Sequence, residues 1–327
     1  MKFGIIGTNF VSDMIIKAGE TLEDFKISAI CSRTLENAKS FAEKYKVDYY
    51  TNDYKTFLEQ DLDAVYIAVP NVLHKDIAIF FLENKIPVFC EKPMGSNVDE
   101  VKAMIAASRD NNTLLVEGVV PLYTEGFKAV KDNLKEIGQV RRAIISMGQY
   151  SSRYDAYREG NVLNAFKPDL ANGSIMDIGI YPLSFAMGLF GPPKSVFANA
   201  YMLESKVDGL GSLILNYPDK EVIVMHSKIT DQLLLSEIQG EDGTIQFDHA
   251  SLTKKVILKK RNQEAKVVFE DSRQDLMYYE LKAFIEAAKA GLVEVPHVSH
   301  QMILDVHTVL TEARRQTKVV FPTDLID

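Results

Sequence analysis

Val88-Phe89-Cys90-Glu91-Lys92-Pro93 is the stretch from which the fold is read. Val88, Phe89 and Cys90 form a short apolar run of β-branched and aromatic character, the pattern of a buried strand in a parallel sheet. Glu91 and Lys92 arrive where that strand runs out. Burying either charge unpaired is costly, so the pair belongs at a rim. Pro93 withdraws a backbone donor and stiffens the exit, aiming Lys92 out of the sheet's carboxyl edge, where open α/β sheets bind ligands. An ordinary strand end with a solvated pair fits the hexapeptide equally well, and the flanking segments have to decide.

Upstream, strands and helices alternate. Phe3 to Gly7 reads as a buried strand ending on glycine, and Phe10 to Gly19 has helical spacing. A dinucleotide fingerprint aligned from Gly7 reads Gly7-Thr8-Asn9-Phe10-Val11-Ser12. Gly7 makes the turn, Asn9 stands in for the second glycine as a residue that tolerates left-handed angles, and Ser12 allows close helix packing. The next strand, Lys26 to Cys31, is followed by Ser32-Arg33-Thr34 and a helix over Leu35 to Tyr45. An acidic residue at this strand end would select NAD by its ribose hydroxyl. A hydroxyl and a guanidinium, Ser32 and Arg33, suit a 2′-phosphate, so NADP is expected ahead of NAD. A third strand, Ala64 to Val69, ends in Pro70-Asn71, with His74 opening the following helix. The helix Asn97 to Asp110 and the strand Thr113 to Glu117 complete the series. This predicts a doubly wound parallel sheet of the Rossmann type over residues 1–118, with a boundary at Gly118.

Beyond the boundary the pattern changes, and residues 119–327 are expected to form an α+β domain. Long strand-like runs occupy Val140–Tyr150, Ser195–Leu203, Gly209–Tyr217, Glu221–Lys228, Leu233–Gln239, Thr244–Phe247, Lys254–Lys259 and Lys266–Phe269. Turn signals at Pro218-Asp219-Lys220 and Glu241-Asp242-Gly243 imply an open, mostly antiparallel sheet. Alternation at Leu213, Leu215, Tyr217, Val222 and Val224 suggests a face that pairs with a second copy, hence a homodimer or larger homo-oligomer. One helical segment, Gly173 to Phe190, interrupts the strands. In it Asp177 and Tyr181 are spaced to share a face, and Pro182 disturbs the turn. A capping aspartate and a satisfied core tyrosine are the plain alternative. Arg153, Tyr154, Asn164 and Phe166 lie in the loop-rich run before it and are candidate substrate contacts.

The whole composition narrows the classes. The chain has 327 residues, 46% hydrophobic and 25% charged, with 37 basic against 45 acidic side chains and a formal charge of −8. That balance disfavours a nucleic-acid partner. Only Cys31 and Cys90 occur, in no CxxC pattern, as expected of reduced thiols in a cytoplasmic protein. No uninterrupted apolar run reaches the roughly 18 residues of a membrane span, and no signal peptide is expected. The six histidines form no HExxH, and His297, His300 and His307 read as surface or core residues, so no metal is expected.

With Cys90-Glu91-Lys92-Pro93 and Asp177-Ile178-Gly179-Ile180-Tyr181 together, the chain resembles the Gfo/Idh/MocA family of NAD(P)-dependent oxidoreductases. Tyr181, where many members carry histidine, is similar to the glucose-fructose oxidoreductase and dimeric dihydrodiol dehydrogenase branch. The resemblance implies Lys92 as catalytic lysine, Tyr181 as acid/base and Asp177 as a substrate-positioning group. It also implies nicotinamide-side contacts around Val69, Pro70, Asn71, His74 and Glu91, besides Gly7, Thr8, Asn9 and Phe10 in the first turn. Chemistry agrees with that assignment. Moving a hydride from a carbinol carbon requires the alcohol proton to leave as well. Tyrosine's ordinary pKa of about 10 is too high for easy exchange, and a nearby ammonium favours the phenolate. The expected activity is NADP(H)-linked oxidation or reduction of a small sugar-like substrate, at a site between the two domains. A catalytically idle NAD(P) sensor, or a redox-neutral lyase or glycosidase using bound NAD, are the alternatives; net cofactor consumption separates them.

Overall fold

The computed structural model describes residues 1–275 and 277–325. The chain divides into two units, one of Met1–Gly118 with Gln274–His300, the other of Val119–Arg273 with Gln301–Asp327. Residues 274–300 thus return to the first unit, whereas the sequence pattern had assigned all of 119–327 to the second.

The first unit holds a six-stranded parallel sheet in the order β3-β2-β1-β4-β5-β6. Its strands are β1 (Lys2–Ile6), β2 (Lys26–Cys31), β3 (Tyr49–Thr51), β4 (Ala64–Ile67), β5 (Val88–Glu91) and β6 (Leu115–Gly118). All four residues of β4, β5 and β6 are buried, which is why these strands read as continuous apolar runs. Helices α1 (Phe10–Gly19), α2 (Leu35–Tyr45), α3 (His74–Glu83) and α4 (Val98–Asp110) make the crossovers. Strand order reverses between β1 and β4, the place in such sheets where a ligand meets the carboxyl ends.

The second unit is built on an eight-stranded sheet, β14-β13-β12-β11-β7-β10-β9-β8, in which only the β7–β10 pair is parallel. Its strands are β7 (Val140–Gly148), β8 (Ser195–Met202), β9 (Asp208–Asn216), β10 (Glu221–Ser227), β11 (Ser236–Gly240), β12 (Gly243–Phe247), β13 (Lys255–Lys260) and β14 (Lys266–Glu270). The helices are α5 (Glu125–Asn133), the short α6 (Tyr154–Arg158) and α7 (Ile180–Phe190). Helix α8 (Met277–Lys289) belongs to the first unit, where it packs on α1, and α9 (His300–Thr317) follows it.

Two expectations change here. Leu213, Leu215, Tyr217, Val222 and Val224 face the core and are covered, partly by α7 packing on β7 and β10, so they are not a pairing surface. The open face carries the alternate register instead: Phe197 is 65% exposed, Ile214 43% and Met225 41%. Leu233, Leu234 and Leu235, read as the start of a strand, are exposed and precede β11. The apolar helical stretch Pro168–Phe190, with a mean hydropathy of 1.3, is long enough to cross a membrane, yet 72% of that window is buried inside the protein. It is a core element.

Candidate active site

The turn after β1 is shaped by its sequence. Gly7 has φ +104°, and a side chain there would run into the Ala68 carbonyl, so glycine is required twice over. Asn9 works differently from the left-handed role expected of it. At φ −103° it is extended, and its side chain caps α1 by accepting from the Val11 and Ser12 amides while donating to the Ala68 carbonyl at 2.9 Å. Ser12 is fully buried and donates to the Gly7 carbonyl. The Thr8 and Ser32 hydroxyls share a hydrogen bond of 2.7 Å, joining the turns after β1 and β2. Arg33 beside them is exposed, as is Phe10. Cys31 ends β2 as a neutral thiol, since burial pushes its pKa up to about 12. Nearby Asp53 is engaged in capping the turn at 54–59. This donor set, two hydroxyls and a guanidinium with a neutral strand end, fits a phosphate on the ribose.

At the exits of β4 and β5 the residues converge, though not all toward solvent. Lys92 is half-buried, Val69 and Asn71 likewise, and Pro70 is exposed. His74 is buried, its ring nitrogens 3.0 Å from the Pro93 carbonyl and 2.9 Å from that of Val69. Burial lowers its pKa against the pull of both carbonyls, and in the neutral form its single N–H donates to only one of the two turns it lies between. Glu91 also turns inward: its carboxylate accepts from the Tyr66 hydroxyl at 2.5 Å, and burial raises its pKa to about 7. On the neighbouring strand Glu117 accepts from the Met94 amide at 2.7 Å, holding the turn that follows Lys92. His74 and Glu91, expected as cofactor contacts, are both buried and hydrogen-bonded within the protein on either side of Lys92.

In the second unit Asp177 lies in a π-helical turn, Ile175–Gly179, that runs into α7. The widened turn accommodates Pro182, which has no amide to offer the carbonyl four residues back, and it alters the regular i, i+4 relation expected of Asp177 and Tyr181. Tyr181 is half-buried. The turn is held from below. Asp208 accepts from the Ile175 amide at 2.7 Å, and His226, pushed down to about 3 by burial and hence neutral, sits 2.9 Å from the Ser174 hydroxyl.

Lys228, which the sequence patterns did not single out, donates to the Asp177 carboxylate and to the Ala165 carbonyl, both at 2.9 Å, and sits over the Phe166 ring. Its side chain is 1% exposed, that of Asp177 36%. The ammonium is thus buried under a carboxylate that reaches solvent. Phe166 is wholly buried, packed with Tyr154, Tyr157, Leu203 and Val207 in one core cluster. Arg153 and Asn164 are exposed and Tyr154 half-buried. Among the described residues no cluster of histidine, cysteine, aspartate or glutamate is suited to a metal ion.

Comparison with known proteins agrees with this layout. Residues 1–119 match a family model described as an oxidoreductase family with NAD-binding Rossmann fold, and residues 127–246 match the GFO/IDH/MocA C-terminal domain. The chain is 41% identical to scyllo-inositol 2-dehydrogenase (NADP(+)) IolU of Bacillus subtilis, covering 99% of both chains. It is 38% identical to the oxidoreductase YgjR of Escherichia coli, covering 100% of this chain and 99% of that one. Among solved structures, KijD10 of Actinomadura kijaniata, a 3-ketoreductase in complex with NADP and TDP-benzene, superposes with a TM-score of 0.85 at 22% identity, covering 97% of this chain and 98% of that one. At that identity the likeness bears on fold alone.

Proposed function

The chain belongs to the Gfo/Idh/MocA oxidoreductase family, and on that premise we propose that it is an NADP(H)-dependent dehydrogenase acting on a secondary carbinol of a cyclitol or sugar-like polyol. The observation that carries this reading is full-length identity of 41% to an NADP(+)-dependent inositol dehydrogenase. The Asp177–Lys228 pair supports it, because a partly exposed carboxylate held by a buried ammonium is suited to accept hydrogen bonds from vicinal hydroxyls.

Gly7, Thr8, Asn9 and Phe10 would hold the dinucleotide at the β1 turn, Ser32 and Arg33 its 2′-phosphate, and Val69, Pro70 and Asn71 its nicotinamide end. When bound, the nicotinamide supplies the hydride acceptor or donor. The chain's own residues manage the proton and the orientation. Tyr181 takes the carbinol proton in oxidation and returns it in reduction. The Lys92 ammonium stabilises the oxyanion that proton loss creates. Asp177 fixes the polyol by a neighbouring hydroxyl and is held in place by Lys228. His74, Glu91 and Glu117 keep the turn that presents Lys92 rigid.

The buried thiols Cys31 and Cys90 accord with a cytoplasmic enzyme, and the apolar open face around Phe197, Ile214 and Met225 with a homodimer. The test is direct: NADP+ reduction followed with a panel of inositols and aldoses, for wild type and Lys92→Met. Turnover with a cyclitol, lost in the variant while NADP+ binding persists, is expected. Product formation without net NADPH would instead favour the redox-neutral alternative.

A further inference from the structure

The π-helical turn that carries Asp177 begins without a cap of its own. Ser174 stands at its head, but its hydroxyl accepts nothing from the turn and lies 2.9 Å from His226 Nδ1 instead. The amides that open a helix still need acceptors. One comes from another strand: Asp208, the first residue of β9, is wholly buried and accepts from the Ile175 amide at 2.7 Å, 33 positions away in the chain. Gly173 lets the carboxyl group in so close. At φ +140°, a side chain there would lie 2.4 Å from Asp208 Oδ1. The Gly173 carbonyl in turn accepts from the Asp177 amide at 3.1 Å. Asp208 Oδ1 itself has no hydrogen-bond partner among the described residues. A carboxyl group buried with one oxygen idle costs stability, and a neutral cap within the turn would have served the fold as well.

The same strand also fixes Lys228. Gly209, the residue after Asp208, accepts from the Lys228 amide at 3.0 Å, and the Lys228 ammonium reaches Asp177 Oδ2 at 2.9 Å. Two consecutive residues of β9 therefore hold the turn that bears the carboxylate and the strand end that bears the ammonium. Resting on the dehydrogenase reading above, we propose that Asp208 is a positioning residue for polyol binding: by capping the turn from β9 it keeps Asp177 in register with Lys228 and aims the exposed carboxylate at a substrate hydroxyl. A hydrogen-bonding group binds with precision only when the residues behind it lock its backbone and rotamer. Asp208 supplies that lock from a strand of the sheet, the most rigid part of this unit.

The experiment compares wild type, Asp208→Asn and Asp208→Val. Asparagine keeps an oxygen that can accept from the Ile175 amide, whereas valine fills the space and suits a strand but offers no acceptor. In Asp208→Val the KM for the cyclitol should rise about tenfold with kcat within about threefold of wild type, because what is lost is binding. Asp208→Asn should stay near the wild-type KM, and the dissociation constant of NADP+ should move in neither variant. Hydrogen exchange over residues 173–181 should quicken in Asp208→Val alone. An unmoved KM in Asp208→Val, equal losses in both variants, a matching loss of NADP+ binding, or failure of Asp208→Val to fold would mark a purely structural residue and overturn the proposal. The exchange arm needs no substrate, and unchanged exchange overturns the proposal by itself. A wild type that turns over no cyclitol would count against the dehydrogenase reading alone.

Discussion

Lys228 reaches Asp177 at 2.9 Å from a position with 1% exposure, so one member of the pair is buried and the other is not. Removing the exposed partner should therefore hurt more than removing the buried one. Asp177→Ala takes the hydrogen-bonded carboxylate from an ammonium in the core, leaving it the Ala165 carbonyl, the Phe166 ring and the nearby charge of buried Asp208, and should cost about 3 kcal/mol. Lys228→Met leaves a carboxylate that water can reach and should cost less. Urea denaturation of both singles and the double variant measures the coupling; equal costs would contradict the arrangement.

Proton handling is assigned to one phenol. Tyr181→Phe should lower kcat by roughly 10²–10⁴-fold with little change in KM for the polyol, because the lost group acts in the transition state. Steady-state kinetics at saturating NADP+ give the comparison. A kcat within a few-fold of wild type would remove Tyr181 from the mechanism.

Coenzyme choice rests on Ser32 and Arg33. Arg33→Asp places a charge where a 2′-phosphate would bind and should weaken NADP+ by about 10–100-fold while sparing NAD+. Titration calorimetry with each dinucleotide decides the point, and equal losses for both would place Arg33 elsewhere.

Glu91 makes stability depend on pH. Its carboxyl ionises near 4.5 when unfolded and at about 7 in the fold, so the native state holds more protons across that window. Stability is highest below the unfolded value and falls as pH rises toward 7, by about 3 kcal/mol at most. Glu91→Gln should flatten the curve over this range in denaturation series at fixed ionic strength.

The open face of the second sheet should bury against a copy of itself. Ile214→Lys combined with Met225→Glu puts charge at two exposed apolar positions on adjacent strands and should shift the sedimentation coefficient to that of a monomer. An unchanged coefficient would exclude this face.

Much of this was legible before the fold was known. Alternating apolar runs and turn residues announced the first sheet, while its strand order, reversing between β1 and β4, came only with the structure. The site was legible only where charge or a rare residue interrupts an apolar run: Lys92 after β5 and Asp177 before α7. Tyr66, Glu117 and Lys228 were less visible. Tyr66 passes for another strand aromatic, Glu117 and Lys228 for ordinary strand ends.

By itself the sequence determined the class of each half, the strand ends that present Lys92 and Ser32-Arg33, and the family, because periodicity and local turn chemistry are properties of neighbours along the chain. Tertiary structure alone decided which face of the second sheet is open, that Glu91 and His74 point inward, that Lys228 stands beneath Asp177, and that residues 274–300 return to the first unit. Those outcomes depend on which surfaces compete for burial, and a period-two pattern with apolar residues on both faces satisfies either choice until a helix packs down on one of them.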